Sequence, residues 1–228
     1  MKARGLLAAF ALTAVIAAPA PVAAQARDWT KAVVATPEGG FRMGNPAAKV
    51  KLVEYASLTC PHCAHFAETS KAPLMQRVRT GNVSYEFRNY VLNGIDVTAT
   101  LLARCAGPQH YFAFTDRLYA TQKRWVGRIS GLTEQQKTQI QSLPDAQRLG
   151  RIAELGGLTA VAAQFGVAAP RARQCLADDA ALERLGEMAK AAQEKGVQGT
   201  PTFFINDRKV DSVDDWAGLE PHLMRAGG

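Results

Sequence analysis

The chain has 228 residues, of which 47% are hydrophobic and 21% charged, and it carries a net charge of +7. Its basic side chains are scattered, with no lysine or arginine run of the kind that binds nucleic acid, so they read as a solvated surface. Residues 1–26 have the pattern of a removable leader: Lys2 and Arg4, an apolar stretch from Leu6 to Ala18, then the small-x-small site Ala24-Gln25-Ala26. That stretch is too short for a membrane anchor, no second apolar span follows it, and no cysteine stands at the cleavage site to carry a lipid. Loss of the leader removes two basic residues, leaving 25 against 20 acidic ones and a charge of +5. About 202 residues remain, enough for one or two domains. All four cysteines follow the leader, and in an exported chain four imply two disulfides, or one disulfide and a reactive pair.

Arg27 to Asn45 reads as a lead-in, with a strand across Trp29–Ala35 and a turn at Pro37-Glu38-Gly39-Gly40. Asn45-Pro46 breaks the chain before Val50-Lys51-Leu52-Val53-Glu54-Tyr55, a run of β-branched and aromatic residues that predicts a strand. Only about 22 residues separate the leader from that strand, too few for a separate dimerisation domain. Val50, Leu52 and Glu54 share one face. Glu54 is therefore expected either to point into the core, where burial raises its pKa and lets it take the proton of Cys63, or to reach solvent from the strand end.

The strand leads into Thr59-Cys60-Pro61-His62-Cys63, the stretch on which the chemistry rests. After it, Cys63, Phe66, Ala67, Ser70, Leu74 and Val78 recur at helical spacing, with Pro73 expected to kink the helix and Gly81 to end it. Pro61 suits the first helical position, which puts Cys60 at the N-cap, facing free N–H groups and the positive end of the helix dipole. A thiolate there is stabilised, so the Cys60 pKa should fall well below the ordinary thiol value. His62 adds a donor, and a positive charge when protonated. A dithiol favoured in its reduced form gives its disulfide away readily, with Cys63, one turn inside, as the more buried resolving thiol.

Val83-Ser84-Tyr85-Glu86-Phe87-Arg88 alternates as a second strand. From Thr98 to Lys195 the pattern is helical, with short helices near 133–141, 145–154 and 159–165 and a last helix that Asp178-Asp179 can cap. The aromatic residues of this block read as core. Gly199-Thr200-Pro201-Thr202-Phe203-Phe204-Ile205 then enters a strand, Asn206-Asp207 turns, Lys209-Val210 returns, and Asp211 to Met224 closes as a helix. The expected fold class is α/β, with an all-helical domain inserted into a layered sheet. Cys105 and Cys175, 70 residues apart, are expected to form a structural disulfide within that insertion, the alternative being two free buried thiols. A loop of this length would contribute roughly 4 kcal/mol as an upper figure.

Cys60-Pro61-His62-Cys63 at a strand-to-helix junction, Glu54 upstream and Gly199-Thr200-Pro201-Thr202 late in the chain together resemble the DsbA-like thiol:disulfide oxidoreductases of the thioredoxin superfamily. The resemblance runs from about Val50 to the C-terminus. It implies a thioredoxin fold in two parts, 27–95 and 191–228, around a helical insertion at 96–190. It makes Cys60 the nucleophile, Cys63 the resolving thiol, Glu54 a buried proton-transfer acid and His62 the inter-cysteine residue associated with strong oxidants. It makes Pro201 a cis-proline facing the cysteines, with the Thr200 backbone pairing an extended substrate. Thr200 is a departure: oxidases of the family often carry valine there, and the periplasmic isomerases carry threonine. The second pair, Cys105 and Cys175, is likewise absent from the best-known oxidase and present in some relatives.

Nothing in the sequence argues against a monomer, and the resemblance also implies a periplasmic oxidase without cofactor or metal. It would pass the Cys60–Cys63 disulfide to reduced, unfolded exported proteins and be reoxidised by a DsbB-like membrane quinone reductase. A disulfide isomerase or reductase kept reduced would use the same residues. A zinc-binding module would have to draw on Cys60, Cys63, His62 and His65, and His62 lies between the cysteines it would join. His65, His110 and His222 read as ordinary histidines.

Overall fold

The computed structural model describes residues 27–228; the expected leader, residues 1–26, lies outside the described residues. In chain order the elements are a 3-10 turn at Trp29–Lys31, β1 (Val33–Ala35), β2 (Phe41–Met43), β3 (Val50–Ala56), α1 (Pro61–Thr80) and β4 (Val83–Asn89). Eight helices come next: α2 (Gly94–Cys105), α3 (Pro108–Ala120), α4 (Gln122–Ser130), α5 (Glu134–Gln141), α6 (Asp145–Gly156), α7 (Leu158–Gln164), α8 (Ala169–Leu176) and α9 (Asp179–Glu194). The chain then returns through β5 (Thr202–Ile205), β6 (Arg208–Val210) and α10 (Trp216–Arg225).

The strands form one mixed sheet in the order β1-β2-β4-β3-β5-β6. Only β3 and β4 are parallel, and α1 is the crossover such a pair requires. These two strands are buried almost throughout, Lys51 being the exception, because helices cover both faces of the sheet. On one face Val50, Leu52, Val83, Tyr85 and Phe87 join the core that takes in Phe66, Leu74 and Val78 of α1 and Leu219 and Leu223 of α10. On the other, Val53, Tyr55 and Phe204 pack with Ala192 of α9 and with Val197.

Helix α1 follows from local chemistry. Cys60 is its N-cap, Pro61 opens it without needing an amide partner, and it continues through Pro73. Gly81 ends it in a left-handed conformation, φ +86°, where a Cβ would stand 2.8 Å from the Trp29 ring. In the helical block Tyr111, Phe114, Leu118, Trp125, Leu158 and Leu185, all at most 2% exposed, continue the core of the first face. Phe41 stacks on Tyr111 at 3.9 Å between centroids, which fastens β2 to α3. A disulfide joins Cys105, at the end of α2, to Cys175 in α8.

Three expectations about elements need correcting. Trp29–Ala35 is not one strand: Asp28 accepts from the Thr30 amide and turns Trp29–Lys31 into a 3-10 helix, leaving only Val33–Ala35 extended. Phe41–Met43, read as part of a lead-in, is a strand, held by antiparallel pairing to β1 and β4 that no local pattern announces. The last helix begins at Trp216, capped by Asp215 through the Gly218 amide, rather than at Asp211. Helix α9 runs on to Glu194, and its final turn brings Ala192 onto the sheet.

Candidate active site

The site forms where β3 runs out and α1 begins. Residues Ser57–Thr59 turn the chain, and Cys60 caps the helix with its side chain accepting from the Cys63 amide at 3.5 Å. Cys60 is 6% exposed, Cys63 is fully buried, and both carry free thiols. Antiparallel pairing of β5 with β3 places Thr202 opposite Tyr55 and brings Thr200-Pro201 to the same end of the sheet. The Thr200–Pro201 peptide is cis, and the Thr200 carbonyl oxygen lies 3.2 Å from Cys60 Sγ, which donates to it when protonated.

These surroundings separate the two cysteines chemically. The Cys60 thiol is pulled down to about 5, first by the hydrogen bond from the Cys63 thiol, then by the Thr200 side chain and the backbone amides of Cys63 and His62; burial works against them. Thr200 Oγ1 is buried and has no hydrogen-bond partner among the described residues. The Cys63 thiol is pushed strongly upward by burial, by its bond to Cys60 and by the negative charges of Glu54 and Cys60. At neutral pH one sulfur is therefore a thiolate and the other holds its proton.

Glu54 is 2% exposed on β3 and does not reach solvent. Burial lifts its carboxyl to about 8; the hydrogen bond from the Tyr85 hydroxyl opposes the shift, and the Cys60 charge adds to it. His62 points outward and pairs through Nδ1 with Asp214 Oδ2 at 3.2 Å, with both side chains about two-thirds exposed. Pro201 lines an open groove of about 410 Å³ with Thr202, Val210, Val213 and Asp214. The fold thus gathers Cys60, Cys63, Glu54, His62, Thr200 and Pro201 at one end of the sheet. Cys105 and Cys175 lie in the helical block, on α2 and α8, elements that carry none of these residues.

Several neighbours of the site were not singled out from sequence. Tyr85 had a usable signal, because Tyr85 and Phe87 share parity on β4 and the register sets Glu54 opposite Phe87. Asp96, Tyr119, Gln122 and Asp214 had none, since each reaches the site from a separate element. Asp96 is fully buried and accepts from the amides of Leu58 and Leu92, each at 3.0 Å. Burial raises it to about 6 against those bonds and one from Ser57. The Tyr119 hydroxyl donates to the Ser57 carbonyl at 3.1 Å. Gln122 Nε2 donates to the carbonyls of Leu58 and Cys60, both at 2.9 Å. Among the described residues no group of three His, Cys, Asp or Glu side chains is arranged to hold a metal ion.

A Cys-x-x-Cys pair at the head of the helix after a central strand, set against a cis-proline, defines the thioredoxin fold with a helical insertion. The match to known proteins agrees: a family model described as thioredoxin covers residues 36–223, and the chain belongs to that family. A solved structure from Novosphingobium aromaticivorans, named as a protein-disulfide isomerase, is 33% identical with a TM-score of 0.76, over 82% of this chain and 97% of that one. Wolbachia pipientis α-DsbA1, at 24% identity and a TM-score of 0.61 over 84% and 92% of the two chains, shares the fold. A relative from Rickettsia bellii, named "Putative protein-disulfide oxidoreductase", is 30% identical over 181 residues, 77% of this chain and 60% of its own length. The chain thus spans about 60% of the length of that relative.

Proposed function

We propose that this protein is a thiol:disulfide oxidoreductase of the periplasm that donates the Cys60–Cys63 disulfide to reduced, unfolded exported proteins. The observation that carries the reading is the contrast between the two thiols: Cys60 is held down at about 5 while Cys63 is driven up and buried. In the oxidised protein, a substrate thiolate attacks Cys60 Sγ. The Cys60–Cys63 bond breaks, its electron pair goes to Cys63, and a mixed disulfide forms on Cys60. Cys63 leaves as a buried thiolate and needs a proton, which Glu54, still protonated near neutral pH, supplies. A second substrate thiolate then attacks the substrate sulfur of the mixed disulfide. The substrate leaves oxidised by two electrons, and Cys60 departs as the stabilised thiolate, a good leaving group because of its low pKa.

Pro201 and the Thr200 backbone would hold an extended substrate segment beside Cys60, and the His62 backbone amide would help hold the thiolate. A DsbB-like quinone reductase would regenerate the disulfide, and Cys105–Cys175 would be structural. A second reading, an isomerase or reductase kept reduced, is favoured by the similarity to the Novosphingobium protein, which is named an isomerase, and by Thr200. One experiment separates them: mix stoichiometric oxidised protein with a reduced, unfolded multi-cysteine substrate and follow thiol loss. Rapid, near-complete transfer supports the oxidase. Slow transfer that leaves Cys60–Cys63 oxidised overturns it in favour of the second reading, and transfer that survives Cys60→Ser overturns both.

A further inference from the structure

We infer that Gln122 is a positioning residue for the reactive cysteine: its side-chain amide, delivered by the helical block, fixes the turn that aims the amides of His62 and Cys63 at Cys60 Sγ. Gln122 is the first residue of α4 and is 6% exposed. Both hydrogens of its Nε2 are engaged, one on the Leu58 carbonyl and one on the Cys60 carbonyl, each at 2.9 Å. The Cys60 carbonyl also accepts the first bond of α1, from the Ala64 amide at 3.1 Å. Gln122 therefore grips the helix cap through its carbonyl, while the Cys60 sulfur accepts from the Cys63 amide. Cys60 sits in an extended conformation, φ −77° and ψ 123°, and its ψ decides together where its carbonyl points and where the next amides point. Holding the carbonyl holds the donors that the thiolate uses.

The grip is not isolated. Tyr119 of α3 holds the Ser57 carbonyl and Asp96 of α2 holds the Leu58 amide. Three helices of the insertion thus clamp the four residues from Ser57 to Cys60, and Gln122 is the member that reaches the cap itself. Gln122 also lines a cleft of about 1030 Å³ between α1 and the α3–α4 corner, with Pro61 and Ala64 across from it. Water can enter that cleft and satisfy the carbonyls if the amide is removed. The loss would then fall on the aim of the turn more than on the stability of the fold.

This inference rests on the reading of Cys60 as the nucleophile, and its test is chosen to fail separately. Gln122→Met keeps the length and removes both donors, and Gln122→Asn keeps an amide too short to span both carbonyls. The Cys60 titration, followed by thiolate ultraviolet absorbance, and the equilibrium with glutathione are read for both and for the wild type. Each variant should titrate higher by about half to one pH unit and hold its disulfide about threefold to tenfold more firmly. Folded variants with unchanged titration and unchanged glutathione constant overturn the inference. Linkage supplies a second measurement on the native chain, in case neither variant folds: oxidation of Cys60–Cys63 should change the solvent exchange of the Gln122 side-chain amide, and indifference to oxidation also overturns it. If the wild type failed to pass on its disulfide, the functional reading would fall while these titrations still decided the role of Gln122.

Discussion

Replacing Glu54 with glutamine should change how stability depends on pH. In the reduced protein, Cys60 and Glu54 titrate with opposite sign between pH 6 and 8. Cys60 is held at about 5, so in this range the folded chain has lost a proton that the unfolded chain keeps, and stability rises with pH. That contribution is complete above the ordinary thiol value and is lost as pH falls through 5. Glu54 is held at about 8, so the folded chain keeps a proton that the unfolded chain has released, and stability falls with pH. Its contribution is complete below the ordinary carboxylate value and is lost as pH rises through 8.

Each slope is about 1.4 kcal/mol per pH unit, so in the reduced wild type they nearly cancel. Glutamine removes one of them. Reduced Glu54→Gln should gain about 2.5 kcal/mol from pH 6 to 8 while the reduced wild type moves by less than about 0.5 kcal/mol. The oxidised wild type, in which Cys60 cannot titrate, should lose about 2 kcal/mol over the same range. The assay is urea unfolding at pH 6, 7 and 8 in glutathione buffers that set the redox state of Cys60–Cys63, with the state of every cysteine read by alkylation mass shift. Parallel profiles for reduced wild type and reduced Glu54→Gln would refute the argument, because Glu54 would then not be holding its proton in the folded chain.

In Cys63→Ser the Cys60 thiolate should attack the disulfides of an oxidised substrate, each attack releasing the substrate's other sulfur as a thiolate, and should accumulate mixed disulfides visible on non-reducing gels; free release of substrate would count against Cys63 as the resolving thiol. Replacing Cys105 and Cys175 together by alanine should lower the unfolding free energy by up to about 4 kcal/mol for the 70-residue separation, with the rate of disulfide transfer retained. A loss of transfer at preserved stability would give that bridge a redox role instead. Asp96→Asn should cost about 1–3 kcal/mol, since an amide cannot accept from the Leu58 and Leu92 N–H groups with both of its heavy atoms. It should also remove a fall in stability on approach to pH 6, because burial has raised Asp96 and its contribution is lost as pH rises through that value. Denaturant midpoints at pH 4, 5 and 6 check both parts.

Features that depend on neighbours in the chain were legible without coordinates. The N-cap position of Cys60 follows from Pro61 after it and the strand before it, and the end of α1 follows from Gly81. The α9 cap follows from Asp178, whose side chain accepts from the Ala181 amide. The strands β3 and β4 announce themselves by β-branched and aromatic runs long enough to show a pattern. Elements of three residues do not. Phe41–Met43 is a strand because Val33–Ala35 and Phe87–Tyr85 flank it, and that pairing is a property of the sheet.

By itself, then, the sequence determined the chemistry at the head of α1: two thiols one helical turn apart, with the first at the positive end of the helix and the second inside it. Helix geometry and the cap do that locally, so a few neighbouring residues suffice. The parity of β3 also put Glu54 on the face of Val50 and Leu52. Only the tertiary structure decided what surrounds that chemistry: Tyr85 on Glu54, Asp214 on His62, the Thr200 carbonyl at Cys60, and Asp96, Tyr119 and Gln122 on the turn before it. Apart from Tyr85, these groups reach the site from loops and helices far along the chain, the nearest being Asp96, 38 residues from Leu58. Short side chains meet at such separations only after the sheet and the helical block have packed. The pKa of Cys60 belongs to both levels: the Cys63 thiol, the first cause of its fall, and the amides of Cys63 and His62 are neighbours in the chain, while packing delivers the Thr200 side chain and the burial that opposes them.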